Sequence, residues 1–244
     1  MSLEEFSNEF STLVSSYMRF KDFDNKEYLD SIEFDEYEKS LFLTRAQQEI
    51  VVSLYNGRNS RLEGFEETEE LRRYLANITE EESLSPIATT SGRPLGMESN
   101  SKFFTLPEKL WFITYEAAVV DDARCESMST LDVLPVTQDE YHRIKRNPFR
   151  GANERRALRL DLSEGNIEIV SKFNVVQYYL RYVRKPRPIV LEDLPNELTI
   201  EGVNEASDCE LHDALHHRIV EMAVQMALQS KSVGSSGGRQ DDNK

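Results

Sequence analysis

Residues 156–186, RALRLDLSEGNIEIVSKFNVVQYYLRYVRKP, carry the periodicity that decides the fold. RALRLDL, NIEIVSK and VVQYYLRYVRKP alternate apolar and polar side chains, as strands with one buried and one wet face do. Ser163–Asn166, read S-E-G-N, fits a hairpin turn between the first two. These features predict an antiparallel sheet. Working upstream, LWFITYEAAVV (110–120) and Leu131–Val136 read as further strands. Thr137 with Glu140 three residues on predicts a capped short helix over 138–146. Pro148 and Gly151 then break the chain.

The flanks read as helix. Ser2 and Glu5 form a capping box, and Leu3, Phe6, Phe10, Leu13, Val14 and Tyr17 make one apolar stripe over 2–19. Residues 21–40 are acidic with interleaved aromatics and predict a loop with a short helix. Thr44 and Gln47 read as a second capping box, opening a helix that Gly57 stops. ETEELRRYLANI gives a third helix with Leu71, Leu75 and Ile78 inward. After the sheet, residues 209–230 form an amphipathic helix. Leu211, Leu215, Ile219, Met222, Ala223 and Met226 share one arc, and Ser207 or Asp208 is placed to cap it.

The chain is therefore expected to be α+β, with an N-terminal helical unit, a central antiparallel β-sheet and a C-terminal amphipathic docking helix. The expected boundaries are 1–79 for the acidic helical unit, 80–102 for a flexible loop or arm, and 103–191 for the β region. Residues 192–230 are linker and helix, and 231–244 a disordered tail rich in Ser and Gly.

Composition narrows the function classes. The 244 residues are 39% hydrophobic and carry a net charge of −15, with a pI near 4.8. So acidic a chain is a poor general binder of nucleic acid or anionic membranes. Two distant cysteines make no disulfide framework, which favours a reducing compartment. No signal peptide and no run of 18 apolar residues is read in the sequence. Charge is segregated: residues 1–83 hold 20 acidic and 9 basic side chains, whereas 151–190 hold 4 and 8.

Two features invite a chemical reading. Cys209, His212 and His216 are spaced C-x-x-H-x-x-x-H, which raises a metal-dependent enzyme. A tetrahedral zinc site needs a fourth ligand or water, and the remaining candidates, Cys125 and His142, are isolated. The alternative is a pair of histidines at the margin of a buried helix face, and no metal or cofactor is expected. No phosphate loop, dinucleotide fingerprint or nucleophile elbow occurs, so no catalytic residue is assigned. The second feature is YHRIKRNPFRGANERRALRLD (141–161). It gathers Arg143, Lys145, Arg146, Arg150, Arg155, Arg156 and Arg159 around Tyr141 and Phe149. Such a segment suits nucleic acid, plain solvation or a protein interface. The acidity of the rest of the chain favours the interface, so these residues are the candidate subunit joint, with a nucleic-acid-binding accessory role as the alternative.

These motifs, in order from about Glu36 to Leu228, resemble a structural protein of crAss-like bacteriophages. The most specific pieces are NPFRG with RALRLD, YVRKPRPIVL, and the Cys-Glu-Leu opening with Leu215-His216. The resemblance implies a non-enzymatic virion protein of the head-to-tail connector or tail barrel. It would assemble in the host cytoplasm and stack as a ring, typically twelve-fold, on the portal protein or other tail ring proteins. DNA would pass through the channel without sequence-specific binding, and no membrane is involved.

Overall fold

In the computed structural model, residues 1–21, 33–57, 69–88, 97, 101–121, 128–147, 149–195 and 197–236 are described. The chain divides into two compact units, one built from Met1–Ile78 with Pro186–Lys244 and the other from Thr79–Lys185. The fold is α+β, as the sequence implied.

The first unit contains α1 (Leu3–Lys21), α2 (Glu36–Tyr55), α3 (Glu69–Tyr74) and α5 (His216–Ser236). The Ser2–Glu5 box forms at the start of α1, with Ser2 N–H on Glu5 Oε2 and Glu5 N–H on Ser2 Oγ. Phe6, Phe10 and Val14 are buried, and α5 packs against α1 and α2. Gly57 follows the cap of α2 at φ 68°, the left-handed turn expected of it. Leu71, Leu75 and Ile78 all point inward.

Helix α2 corrects one reading. It begins eight residues before Thr44, capped by Asp35 in a box with Glu38. Thr44 and Gln47 therefore lie inside the helix and are buried. Their partner is the extended segment 186–191, PRPIVL. Thr44 Oγ1 accepts from Ile189 N–H at 3.1 Å and donates to Ile189 C=O at 3.2 Å. Gln47 Nε2 donates to Arg187 C=O at 2.8 Å, and Leu191 N–H donates to Ser40 Oγ at 3.0 Å. The remaining donors reach Glu210 Oε2 from Arg187 N–H and Ser207 C=O from Val190 N–H. Pro186 and Pro188 have no N–H to satisfy. Each amide proton of 186–191 thus has a partner without a neighbouring strand, as buried backbone requires.

The second unit contains β1 (Thr79–Leu84), β2 (Lys102–Thr105), β3 (Leu110–Asp121), β4 (Ser129–Val136), α4 (Gln138–Ile144), β5 (Arg156–Asp161), β6 (Asn166–Val170) and β7 (Asn174–Arg184). The strand order is β1-β7-β3-β4-β5-β6-β2. Glu164 and Gly165 take φ 59° and 70° between β5 and β6, the two positive angles of a type I′ hairpin turn. The sheet curls. Ile87, three residues past β1, donates to Phe103 C=O of β2 at 2.8 Å, so the two ends of the strand order meet. Inside lie Phe104, Ala118, Leu131, Ile167, Ile169, Tyr178 and Leu180.

Three further readings change. The sheet is antiparallel except at β4 and β5, which run parallel because α4 and its following loop carry the chain back across the sheet. Residues 80–84 of the expected arm belong to β1: its glutamates pair with arginines of β7, Glu80 with Arg184 at 2.8 Å and Glu81 with Arg181 at 3.5 Å. The expected tail is helical through Ser236 as the end of α5. Residues 89–96, 98–100 and 237–244, also read as flexible, lie outside the described residues.

Replacing Thr44 by Val keeps shape but leaves the N–H and C=O of Ile189 unpaired, at a cost of about 2 kcal/mol or more. Thr44→Ser keeps the hydroxyl and loses one methyl, about 1 kcal/mol. Urea unfolding should therefore rank Val below Ser, although Val is the closer shape; the reverse order refutes this account of α2.

Candidate interaction surface

Of the seven basic residues grouped by sequence, the structure sets Arg159 apart. It is buried inside the curled sheet, its Nη1 2.8 Å from Glu116 Oε2 and its Nε 3.0 Å from Asp161 Oδ1. Tyr178 Oη donates to the same Glu116 oxygen at 2.6 Å. Burial lifts the Glu116 carboxyl above its ordinary value despite these bonds. Burial would lower the Arg159 value, but Glu116, Tyr178 and Asp161 outweigh it and keep the guanidinium charged. The alternation that makes β5 a strand places Arg159 beside Ala157 on the inner face. Arg159 thus belongs to the fold and leaves the candidate surface.

The others lie on and around the α4–β5 loop. Arg143, Lys145, Arg146, Arg150 and Arg155 are exposed; Arg156 is half-buried and donates through Nη1 to Phe149 C=O at 3.2 Å. NPFRG builds this loop. Asn147 Oδ1 accepts from Phe149 N–H at 2.9 Å, and Asn147 C=O accepts from Gly151 N–H at 2.7 Å. Gly151 is needed because a Cβ there would meet Asn147 O at 2.9 Å and Ile144 O at 3.1 Å. The tight turn leaves the Phe149 ring 85% exposed, more than any other large hydrophobic side chain among the described residues. An exposed aromatic flanked by arginines has the composition of an interface anchor.

The histidines resolve differently. The C-terminal helix does not start at a Ser207 or Asp208 cap. His212 is extended at φ −61°, ψ 141°, and its Nδ1 accepts from Ala214 N–H to cap a 3₁₀ turn over Asp213–Leu215; α5 follows from His216. Cys209 and His212 therefore precede the helix rather than sharing a face with His216. His216 is buried against the Phe6 ring. Its Nε2 lies 3.1 Å from Leu211 C=O, and its Nδ1 lies 3.0 Å from the Met1 amino nitrogen. One tautomer serves both: Nε2–H donates and Nδ1 accepts. Burial lowers its proton affinity, and burial pushes the Cys209 thiol up to about 11, away from the thiolate that metals require. Among the described residues no group of three or more His, Cys, Asp or Glu is arranged to hold a metal. Cys125 lies outside the described residues. His217 faces out, 2.8 Å from Glu9 of α1, which raises its proton affinity.

Sequence reasoning did not find the carboxylates that face other elements, such as Glu116 and Glu9. In an acidic chain most carboxylates carry no local signal; the one signal available for Glu116 is its place in the largely apolar run LWFITYEAAVV.

The exposed loop pairs basic side chains with an aromatic one, the composition of an assembly surface, and the comparisons give the family. The family model for phage tail ring protein 3/4 matches residues 1–239. Ring protein 3 of Bacteroides phage crAss001 is 43% identical over 235 residues, spanning 95% of this chain and 97% of that protein. Ring protein 4/5 of the same phage is 27% identical over 236 residues, spanning 93% and 92%. The chain belongs to the crAss-like phage tail ring protein 3/4 family and is a structural ring protein.

Two expectations follow. In NMR titrations His217 should titrate above the ordinary histidine value near 6.5 and His216 below it, and Glu9→Gln should return His217 towards that value. The two act oppositely on stability: the His217–Glu9 pairing is fully present below about 6.5 and is lost as pH rises through the raised value, whereas burial of neutral His216 favours folding above about 6.5 and loses ground as pH falls. Elemental analysis should find well under one zinc per chain; one zinc, lost in His216→Ala, contradicts the geometry of both ring nitrogens.

Proposed function

We propose that the protein forms a closed homo-oligomeric ring in the tail barrel or head-to-tail connector, around the channel through which the genome leaves. Its neighbours in the stack are the portal protein or other tail ring proteins, and its symmetry is twelve-fold. Family membership supports the ring, and so does the similarity to proteins named Ring protein 3 and Ring protein 4/5. The observation that carries the joint is the charge division. The helical unit, Met1–Ile78 with Pro186–Lys244, holds 28 acidic and 14 basic side chains; the sheet unit, Thr79–Lys185, holds 16 and 15, with Arg143, Lys145, Arg146, Arg150, Arg155 and Arg156 on and around one loop. A ring closes through a head-to-tail interface in which two different patches meet, and opposite charges orient such a contact. A net charge of −15 on each copy also repels DNA phosphate, so DNA slides past without sticking. In this role the chain is non-enzymatic.

The exposed Phe149 among arginines also matches a stacking contact to bases, which keeps direct nucleic-acid binding as the second reading.

Changing Arg146, Arg150 and Arg155 together to Glu should abolish oligomers in sedimentation and negative-stain images while circular dichroism stays that of the folded chain. Salt should weaken wild-type assembly in the same direction, because exposed ion pairs are screened within about 10 Å at 0.1 M. Normal rings from the triple variant would exclude the loop as the subunit joint.

A further inference from the structure

Resting on the ring reading above, we infer that Phe149 and Arg150 of one copy dock into an acidic cleft on the helical unit of a second copy. The cleft, of about 310 Å³, is formed by the first two turns of α1, the start of α2 and the chain just after Ile189–Val190. Its apolar part is Leu3 and Leu191; its polar part is Glu4, Ser7, Glu36 and Glu192. That volume is at the small end of protein clefts that take compact ligands, and it suits one aromatic ring with a guanidinium beside it.

Electrostatics favour this occupant. Glu36 is held by Lys39 at 2.7 Å and by Ser7 Oγ at 2.9 Å, which fixes one wall of the cleft. Lys39 offsets its charge, whereas Glu4 and Glu192 are exposed carboxylates at the rim. The N-termini of α1 and α2 add about half a positive charge each, and both lie beneath acidic first turns, Glu4 and Glu5 in α1 and Glu36 and Glu38 in α2. The rim thus remains negative, in a unit carrying 28 acidic against 14 basic side chains. The loop offers what this rim lacks: an 85% exposed Phe149 next to Arg150. Backbone bonds from Phe149 and Gly151 to Asn147 hold the turn that carries both side chains. Knob and cleft are different patches, as a head-to-tail ring demands.

The test uses two full-length variants. In the first, Phe149→Ala with Arg150→Ala removes the knob and leaves the cleft. In the second, Glu4→Arg with Glu192→Arg reverses the cleft and leaves the knob. Each alone should self-associate at least tenfold more weakly than wild type, with unchanged circular dichroism. Mixed in equal amounts they should form a one-to-one dimer and nothing larger, because one functional knob meets one functional cleft and the other pair is dead. Mass photometry or analytical ultracentrifugation reads this directly. No dimer in the mixture, at a concentration where wild type assembles, overturns the docking but leaves the ring reading intact. Wild-type protein that stays monomeric throughout overturns both. If the first variant assembles normally but loses affinity for a double-stranded oligonucleotide that wild type binds, the loop is a DNA contact and the docking is overturned.

Discussion

The helical unit depends on side chains doing the work of a β-strand. Ser40, Thr44 and Gln47 recur along α2 at helical spacing, and they meet Leu191, Ile189 and Arg187, which recur along an extended chain at every second residue. A helix advances about 1.5 Å per residue and a strand about 3.3 Å, so steps of four and three along one match steps of two along the other. This match lets an extended segment lie buried against a helix with its amide groups satisfied. It also fixes the register between the two. A one-residue slip would present Val190 in place of Ile189 and strand both bonds of Thr44.

The sheet unit rests on a different polar element, the Arg159–Glu116–Tyr178 network. A buried ion pair adds little net stability relative to an apolar core, but breaking one partner is expensive, about 3–5 kcal/mol. Its value here is placement. Arg159 on β5 reaches Glu116 on β3 across the intervening β4, which ties three strands together on the inner face. The Ile87–Phe103 bridge and the Phe104–Tyr178 ring contact at 5.5 Å hold the curl of the sheet from the far ends of the strand order.

Much of this was legible in the sequence, for identifiable reasons. Strands β5 to β7 announced themselves by alternation, β3 and β4 as apolar runs, the hairpin by Glu164-Gly165, and α4 by Thr137 and Glu140, because each signal is local and none is opposed by tertiary context. The start of α2 misled because Thr44 and Gln47 imitate a capping box, while the true cap at Asp35 follows an acidic stretch without periodicity. Strand β1 was hidden because TEEESL has the composition of a loop and pairs through Arg181 and Arg184, a hundred residues away. The parallel pair had no local signature at all, since register between β4 and β5 is set by the crossover. For the candidate surface, sequence gathered the residues of one exposed loop but could not separate Arg159 from its neighbours. Only the strand's facing decides which arginine goes inside. The NPFRG and YVRKPRPIVL motifs carried the resemblance. The structure gives them conformational roles: a glycine pressed against carbonyls, and prolines that bring no amide proton to satisfy.

The two ends of the chain build one unit, with the sheet unit inserted between Ile78 and Pro186. This sets an order for synthesis. Residues 79–185 leave the ribosome as a continuous stretch with their own core and can fold as a unit. Phe6, Phe10 and Val14 are made before the sheet unit and must wait for α5, made after it, before they are covered. The segment that saturates α2 also emerges only after β7. A nascent chain therefore carries a folded sheet unit and an unfinished helical unit until α5 has been made. Under the proposed joint, the basic loop exists early and its acidic receptor late, so a chain becomes competent to join a ring only after α5 has emerged.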